Sequence, residues 1–339
     1  MSRLRALWEE IVRFWGEREP GTAMALVRIG VALCILYDLL YIWHLDLVVP
    51  LFTAEEYGGW SHVLARTSWP MWVEWFGATE LSGRALHAGM TLSSLALLLG
   101  FRTRTAAFVL LALWTQWTSF LPTGDRGIDQ QLRNILVLMS LGHFGSTLSV
   151  DALARTGHWI DNTPVPVWPR RLVIGTMILM YTSAGYLKGG ITWWPMGGFS
   201  ALYFALQDPS VAAFDFSWTR RQPWFFFTQV GTATTILYQC TYPLVLLLFY
   251  WRRYPHRAGR IGRLANRYHV ERLWLLIGGV FHVILGFTMN LGIFPWAMLA
   301  LYPAWFPSEE WHRWARRLLG RGPVPPSSPG PEPGAAVTA

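Results

Sequence analysis

Lys188 is the side chain in this sequence whose chemistry stands out first. It is the sole lysine, and arginine supplies every other side-chain cation. A desolvated lysine can lose its proton, whereas arginine effectively cannot. A lone lysine at the end of an apolar run therefore suits a general base or a covalent amine. An interfacial lysine reaching toward water is the other reading, and residue type alone leaves both open. His282 and Asn290 lie in a later apolar run, eight residues apart. That is about 12 Å along a helix, so they can share a face without touching. Interhelical hydrogen bonding is an equally ordinary use for such groups. Trp193 and Trp194 follow Lys188 and could wall an apolar ligand pocket. Cys34 and Cys240 sit in apolar runs with no CxxC or Cys/His spacing, so neither a disulfide framework nor a metal site is expected.

The elements that must hold these residues are apolar. Hydrophobic residues make up 53% of the 339 and charged ones 14%, against about 25% charged in a typical soluble domain. The pattern predicts an all-α, polytopic integral membrane helical bundle. Its eight transmembrane helices are expected near 22–43, 85–99, 105–121, 132–148, 172–187, 224–250 and, split at Gly292 and Pro295, two within 273–306. Residues 1–21 read as an amphipathic N-terminal helix, 22–306 as the transmembrane domain, and 307–339 as a cytoplasmic tail, Pro/Gly-rich and disordered at its end. Asp38, within the first run, needs a partner, whereas Arg28 can snorkel toward the interface. Asp129 and Arg133, four apart, are expected to pair on one helix face. Clustered arginines fall in alternate connections, which puts both termini in the cytoplasm. A net charge of +8 distributed in this way marks topology, and no nucleic-acid partner is expected. Most of the 21 tryptophans read as an interfacial belt.

Three stretches match a known pattern. Tyr181-Thr-Ser-Ala-Gly-Tyr-Leu-Lys188, followed by Trp193, resembles the YxxAGxxK…W motif of vitamin K-dependent gamma-glutamyl carboxylases. Phe281-His282 with Gly292-Ile293-Phe294-Pro295-Trp296-Ala297-Met298-Leu299 resembles that family's late membrane segment. Ser149-Val150-Asp151 resembles its SVD element. Together they resemble the bacterial branch called HTTM, the horizontally transferred transmembrane domain, over roughly residues 20–306.

The resemblance implies a multi-pass protein of the bacterial inner membrane with a lyase-like, quinol-dependent oxygenation or carboxylation site. Lys188 would be its base and His282 a second catalytic group. Trp193, Trp194 and Asn290 would face the cofactor, a reduced quinone such as menaquinone or vitamin K. Membrane lipid and a membrane or peptide substrate would be the partners. The alternative is a non-catalytic membrane protein that binds a quinone, lipid or small peptide, so enzyme status stays open. A transporter is the weakest class, because no file of charges crosses the runs. The chain departs from the family pattern at Leu187, where the animal motif has a second lysine, and at Gly286, near an asparagine position. The loop from Asp125 to Asp129 lacks a histidine. Only 33 residues follow 306, where the family's large region for recognising a protein substrate is expected.

Overall fold

The computed structural model describes residues 3–60, 70–120 and 125–320. The chain is helical almost throughout. In order come α1 (Arg3–Gly16), β1 (Arg18–Glu19), α2 (Thr22–His44), α3 (Val48–Phe52), α4 (Met71–Phe76), α5 (Glu80–Leu99), α6 (Thr103–Phe120), α7 (Gly127–Leu141) and α8 (Val150–Thr156). There follow β2 (Val165–Pro166), α9 (Trp168–Tyr186), α10 (Ala201–Gln207), α11 (Trp224–Cys240), α12 (Leu244–Arg253), α13 (Arg260–Arg267), α14 (Val270–Thr288), α15 (Phe294–Leu301) and α16 (Ser308–Leu318).

α2 is the central strut. Val27, Val31, Ile35 and Leu39 recur every fourth residue and are fully buried, the spacing of a single packed helix stripe. Around them pack α5, α9 and α15, while α5, α6 and α7 stack in chain order. Two ends are set locally. Thr79 caps α5 by accepting from Ser82 N at 3.3 Å, and Ser149 caps α8 by accepting from Ala152 N at 2.9 Å. β1 and β2 form an antiparallel pair, Arg18 opposite Pro166 and Glu19 opposite Val165. That pairing brings the entry of α2 beside the foot of α9.

The expected bundle of eight spans is corrected. Among the described residues two helices, α2 and α14, are long and apolar enough to cross a bilayer, and a third candidate exists only if α11 and α12 count as one span bent by 58°. The reasons lie in the runs themselves. The apolar stretch at 132–148 stays helical only to Leu141. α5 carries Glu80, Arg84 and His87, and α9 carries Arg170 and Arg171. The run at 273–306 breaks after Thr288, passes Gly292 at φ +57°, and resumes as the eight residues of α15. Gly292 and Pro295 thus mark a real break, and α15 beyond it is too short to be a span.

Several of the arginines read as topology markers are engaged in ion pairs. Arg170 pairs with Glu19 at 2.6 Å, Arg171 and Arg253 both pair with Glu17, and Arg252 lies 3.8 Å from Glu271. Multi-pass placement in the inner membrane loses its basis with the span count. So does the quinol-dependent enzyme or quinone-binding protein housed in such a bundle, together with lipid, quinone and membrane-peptide partners. α14 does keep a broad apolar face outward, with Leu276 61% and Phe287 62% exposed.

Local pairings also differ from expectation. Asp38 is buried and bonded to Arg126 at 2.6 Å, and Arg126 also holds Asp129 at 2.9 Å. Arg133 turns to Asp125 rather than Asp129. Arg28 does not snorkel: it is wholly buried and donates to the carbonyls of Leu148 at 2.5 Å and Phe144 at 3.4 Å. The tail expected to be disordered lies, beyond residue 320, outside the described residues.

Candidate functional site

α9 supplies both Tyr181 and, just past its end, Lys188. Its foot is pinned by the buried Arg170–Glu19 pair and by Arg170 donating to Ala304 O at 2.8 Å. Tyr181 and Lys188 are seven residues apart, two helical turns or about 10 Å along the axis. A hydrogen bond from Lys188 N to Gly185 O carries the turn past the helix end.

Tyr181 is buried and lies with its hydroxyl 2.5 Å from His282 Nε2. His282, on α14, is wholly buried, and its Nδ1 has no hydrogen-bond partner. Three more tyrosines close around the pair. Tyr242 stacks on Tyr181 with ring centres 4.1 Å apart, Tyr238 meets Tyr181 edge-on at 5.8 Å, and the Tyr302 hydroxyl is 3.5 Å from that of Tyr181. Tyr238 donates to Trp274 O at 3.3 Å. The buried Tyr242 hydroxyl and the indole nitrogens of Trp274 and Trp305 are unpaired as well. Buried polar groups are normally satisfied, so several orphans in one cluster set this interior apart from ordinary core.

Two glycines on α14 make the packing possible. A Cβ at Gly278 would come 2.1 Å from the Tyr238 hydroxyl and 2.3 Å from that of Tyr302. A Cβ at Gly286 would come 2.7 Å from the Trp296 ring. The indole of Trp296 therefore fills the space that a longer side chain at 286 would take.

Lys188 is half-buried. Its Nζ donates to Ala184 O at 3.0 Å and sits 4.6 Å above the Trp193 ring. Burial pushes the Lys188 ammonium below the ordinary lysine range, a shift that nearby Cys240 opposes. Trp194 holds the loop by donating from Nε1 to Lys188 O at 2.9 Å. The structure thus gathers Lys188, Trp193 and Trp194 at one end of α9 and sets His282 against Tyr181 two turns back. No hydrogen bond joins Lys188 to His282 among the described residues.

Asn290 belongs to neither group. α14 ends at Thr288, so Asn290 leaves the helical face of His282. Its backbone donates to Val211 O at 2.7 Å and its side chain to Ala212 O at 3.2 Å. Two cavities among the described residues lie elsewhere, one lined from residues 18–165 and one from residues 206–220. Among the described residues, no group of three or more His, Cys, Asp and Glu side chains could hold a metal ion.

Sequence reasoning named His282 but missed the tyrosines that surround it. Tyr238 and Tyr242 were detectable as an i, i+4 pair in an apolar run. Their convergence on Tyr181 and Tyr302 was not, since it joins four separate segments. No family model, curated protein or solved structure matches this chain.

Proposed function

We propose that the chain carries a proton-transfer site, with Lys188 as the accessible amine and the Tyr181–His282 pair as the buried donor and acceptor behind it. The observation that carries the reading is the 2.5 Å contact between Tyr181 and a wholly buried His282 whose other nitrogen is unpaired. A phenol and an imidazole in that contact can exchange the role of donor and acceptor. Low local polarity strengthens such a bond.

Lys188 has the surroundings a base needs. Partial burial favours the neutral amine that accepts a proton. The Ala184 carbonyl and the Trp193 face are placed to stabilise the ammonium once it forms. Kinship with the HTTM family is part of the same proposal. It is supported by the Tyr181-to-Lys188 stretch and by Phe281-His282, because the first and last residues of the former and the histidine of the latter are those with unusual surroundings.

The sole lysine makes the test clean. Amine labelling with trinitrobenzenesulfonate, followed across pH and read by peptide mass spectrometry, reports the Lys188 titration without interference from other lysines. A midpoint clearly below that of a free lysine side chain is expected, falling further when Trp193→Leu removes the indole face that stabilises the ammonium. Labelling at the ordinary lysine midpoint in the intact protein would remove Lys188 from the site.

A further inference from the structure

A second feature of the molecule lies beside β1 and β2, whose Arg18 and Val165 line it. A cavity of about 760 Å³ opens between the turn that starts α6, the loop after α7, the start of α8 and residues 161–165. Four guanidiniums, from Arg18, Arg102, Arg104 and Arg155, line it against two carboxylates, Asp151 and Asp161. Both carboxylates are already engaged. Asp151 accepts from Arg102 N at 2.7 Å, from Thr103 N at 2.8 Å and from Thr103 Oγ1 at 2.7 Å. Asp161 accepts from Arg155 at 2.8 Å and from Thr163. Among the described residues, Arg18, Arg102 and Arg104 have no acidic partner.

The interior of the cavity is polar and incompletely bonded. Arg104 donates to Gly142 O at 3.0 Å and to His143 Nε2 at 3.1 Å. Since arginine only donates, Nε2 accepts and the neutral ring carries its proton on Nδ1. That Nδ1 is buried and unpaired. Burial, followed by Arg104, Arg18 and Arg155, pushes His143 below the usual histidine range. Ser146 lines the cavity too, but its unpaired Oγ is sealed from solvent and packs against Gly21. The exposed arginines are a donor set for an anion with several oxygens.

We propose that this cavity binds the phosphate group of a small phosphorylated solute, with Arg102 and Arg104 as its principal cationic contacts. The volume exceeds what an oxyanion alone needs and falls within the usual range for small-molecule pockets, about 300–1,000 Å³. The walls are concave and local, which suits a solute rather than an extended polyanion. The proposal is independent of the proton-transfer reading.

The test is calorimetric titration of the full chain with inorganic phosphate and, separately, with glycerol 3-phosphate at low salt. Saturable binding of one molecule is expected. Tighter binding of the ester identifies a phosphomonoester as the ligand, and equal binding identifies free phosphate; either supports the site. The double variant Arg102→Gln, Arg104→Gln is expected to weaken binding by at least about tenfold, as loss of charge-assisted hydrogen bonds does. Ser146→Ala is expected to leave both binding and the melting temperature unchanged, because the sealed hydroxyl reaches neither the cavity nor a partner. Arg84→Gln removes an exposed cation paired with Glu80 outside the cavity and is expected to leave binding intact. No saturable binding of either probe overturns the proposal. So does an equal loss in Arg84→Gln and the double variant.

Discussion

The Tyr181–His282 cluster and the arginine cavity treat polar groups in opposite ways. In the cluster, polar groups are neutral or held neutral, packed ring against ring, and removed from water. In the cavity, permanent charges stand at the rim. The difference arises from the cost of burying charge. A phenol or imidazole enters an apolar interior at the cost of a hydrogen bond, whereas an unpaired guanidinium would cost far more. The cluster therefore suits movement of protons, and the cavity suits capture of an anion that arrives already charged.

β1 joins the two regions by simple alternation. Arg18 is exposed and lines the cavity, while Glu19 faces inward to Arg170 at the foot of α9. The largest effect is expected where both regions are disturbed at once. Glu19→Gln leaves Arg170 buried without its counter-charge, a loss of about 3–5 kcal/mol. A fall of many degrees in melting temperature, accompanied by loss of both phosphate binding and the lowered Lys188 titration, is expected. A change confined to one region would mean that β1 does not couple them.

The contrast sharpens at single hydroxyls. Tyr181→Phe strips His282 Nε2 of its 2.5 Å partner and is expected to cost about 1–3 kcal/mol by denaturant unfolding. Ser146→Ala, at a hydroxyl equally buried but unpaired, is expected to cost close to nothing. Equal costs would show that the pairing in the cluster contributes no more than the unpaired state in the cavity.

The smallest effect is a pH dependence. Lys188 has its folded-state pKa below that of the unfolded chain. Between those two values the unfolded chain binds more protons, so stability rises with pH through that window. Comparing the unaltered protein with Lys188→Met by thermal melts from pH 8 to 11, the difference between the two is expected to shift in favour of the lysine form as pH rises. A flat difference would place Lys188 fully in water and break its half of the comparison.

Parts of this were legible in residue order. The apolar run at 22–43 corresponds to α2, Thr22–His44, and Gly292 with Pro295 marked the break after α14. Lys188 stood out because no other lysine competes with it. The count of spans was not legible. Apolar content alone does not separate one unbroken helix from short helices and turns of the same composition, as the bend between α11 and α12 and the eight-residue α15 demonstrate. Local charge pairs misled for a similar reason. Asp129 prefers Arg126 to Arg133 because Arg126 also reaches Asp38, 88 residues away in sequence.

Residue order by itself thus determined the helical class, the central apolar strut, the helix breaks and the singular position of Lys188, because each depends on neighbours a few residues apart. The tertiary structure alone decided that Tyr181, Tyr238, Tyr242, His282 and Tyr302 share one interior, and that Arg18, Arg102, Arg104 and Arg155 share one cavity. Those groupings rest on close approach between distant segments, such as Gly278 against two tyrosine hydroxyls and Asp151 clamping the turn into α6, and no local spacing encodes such approaches.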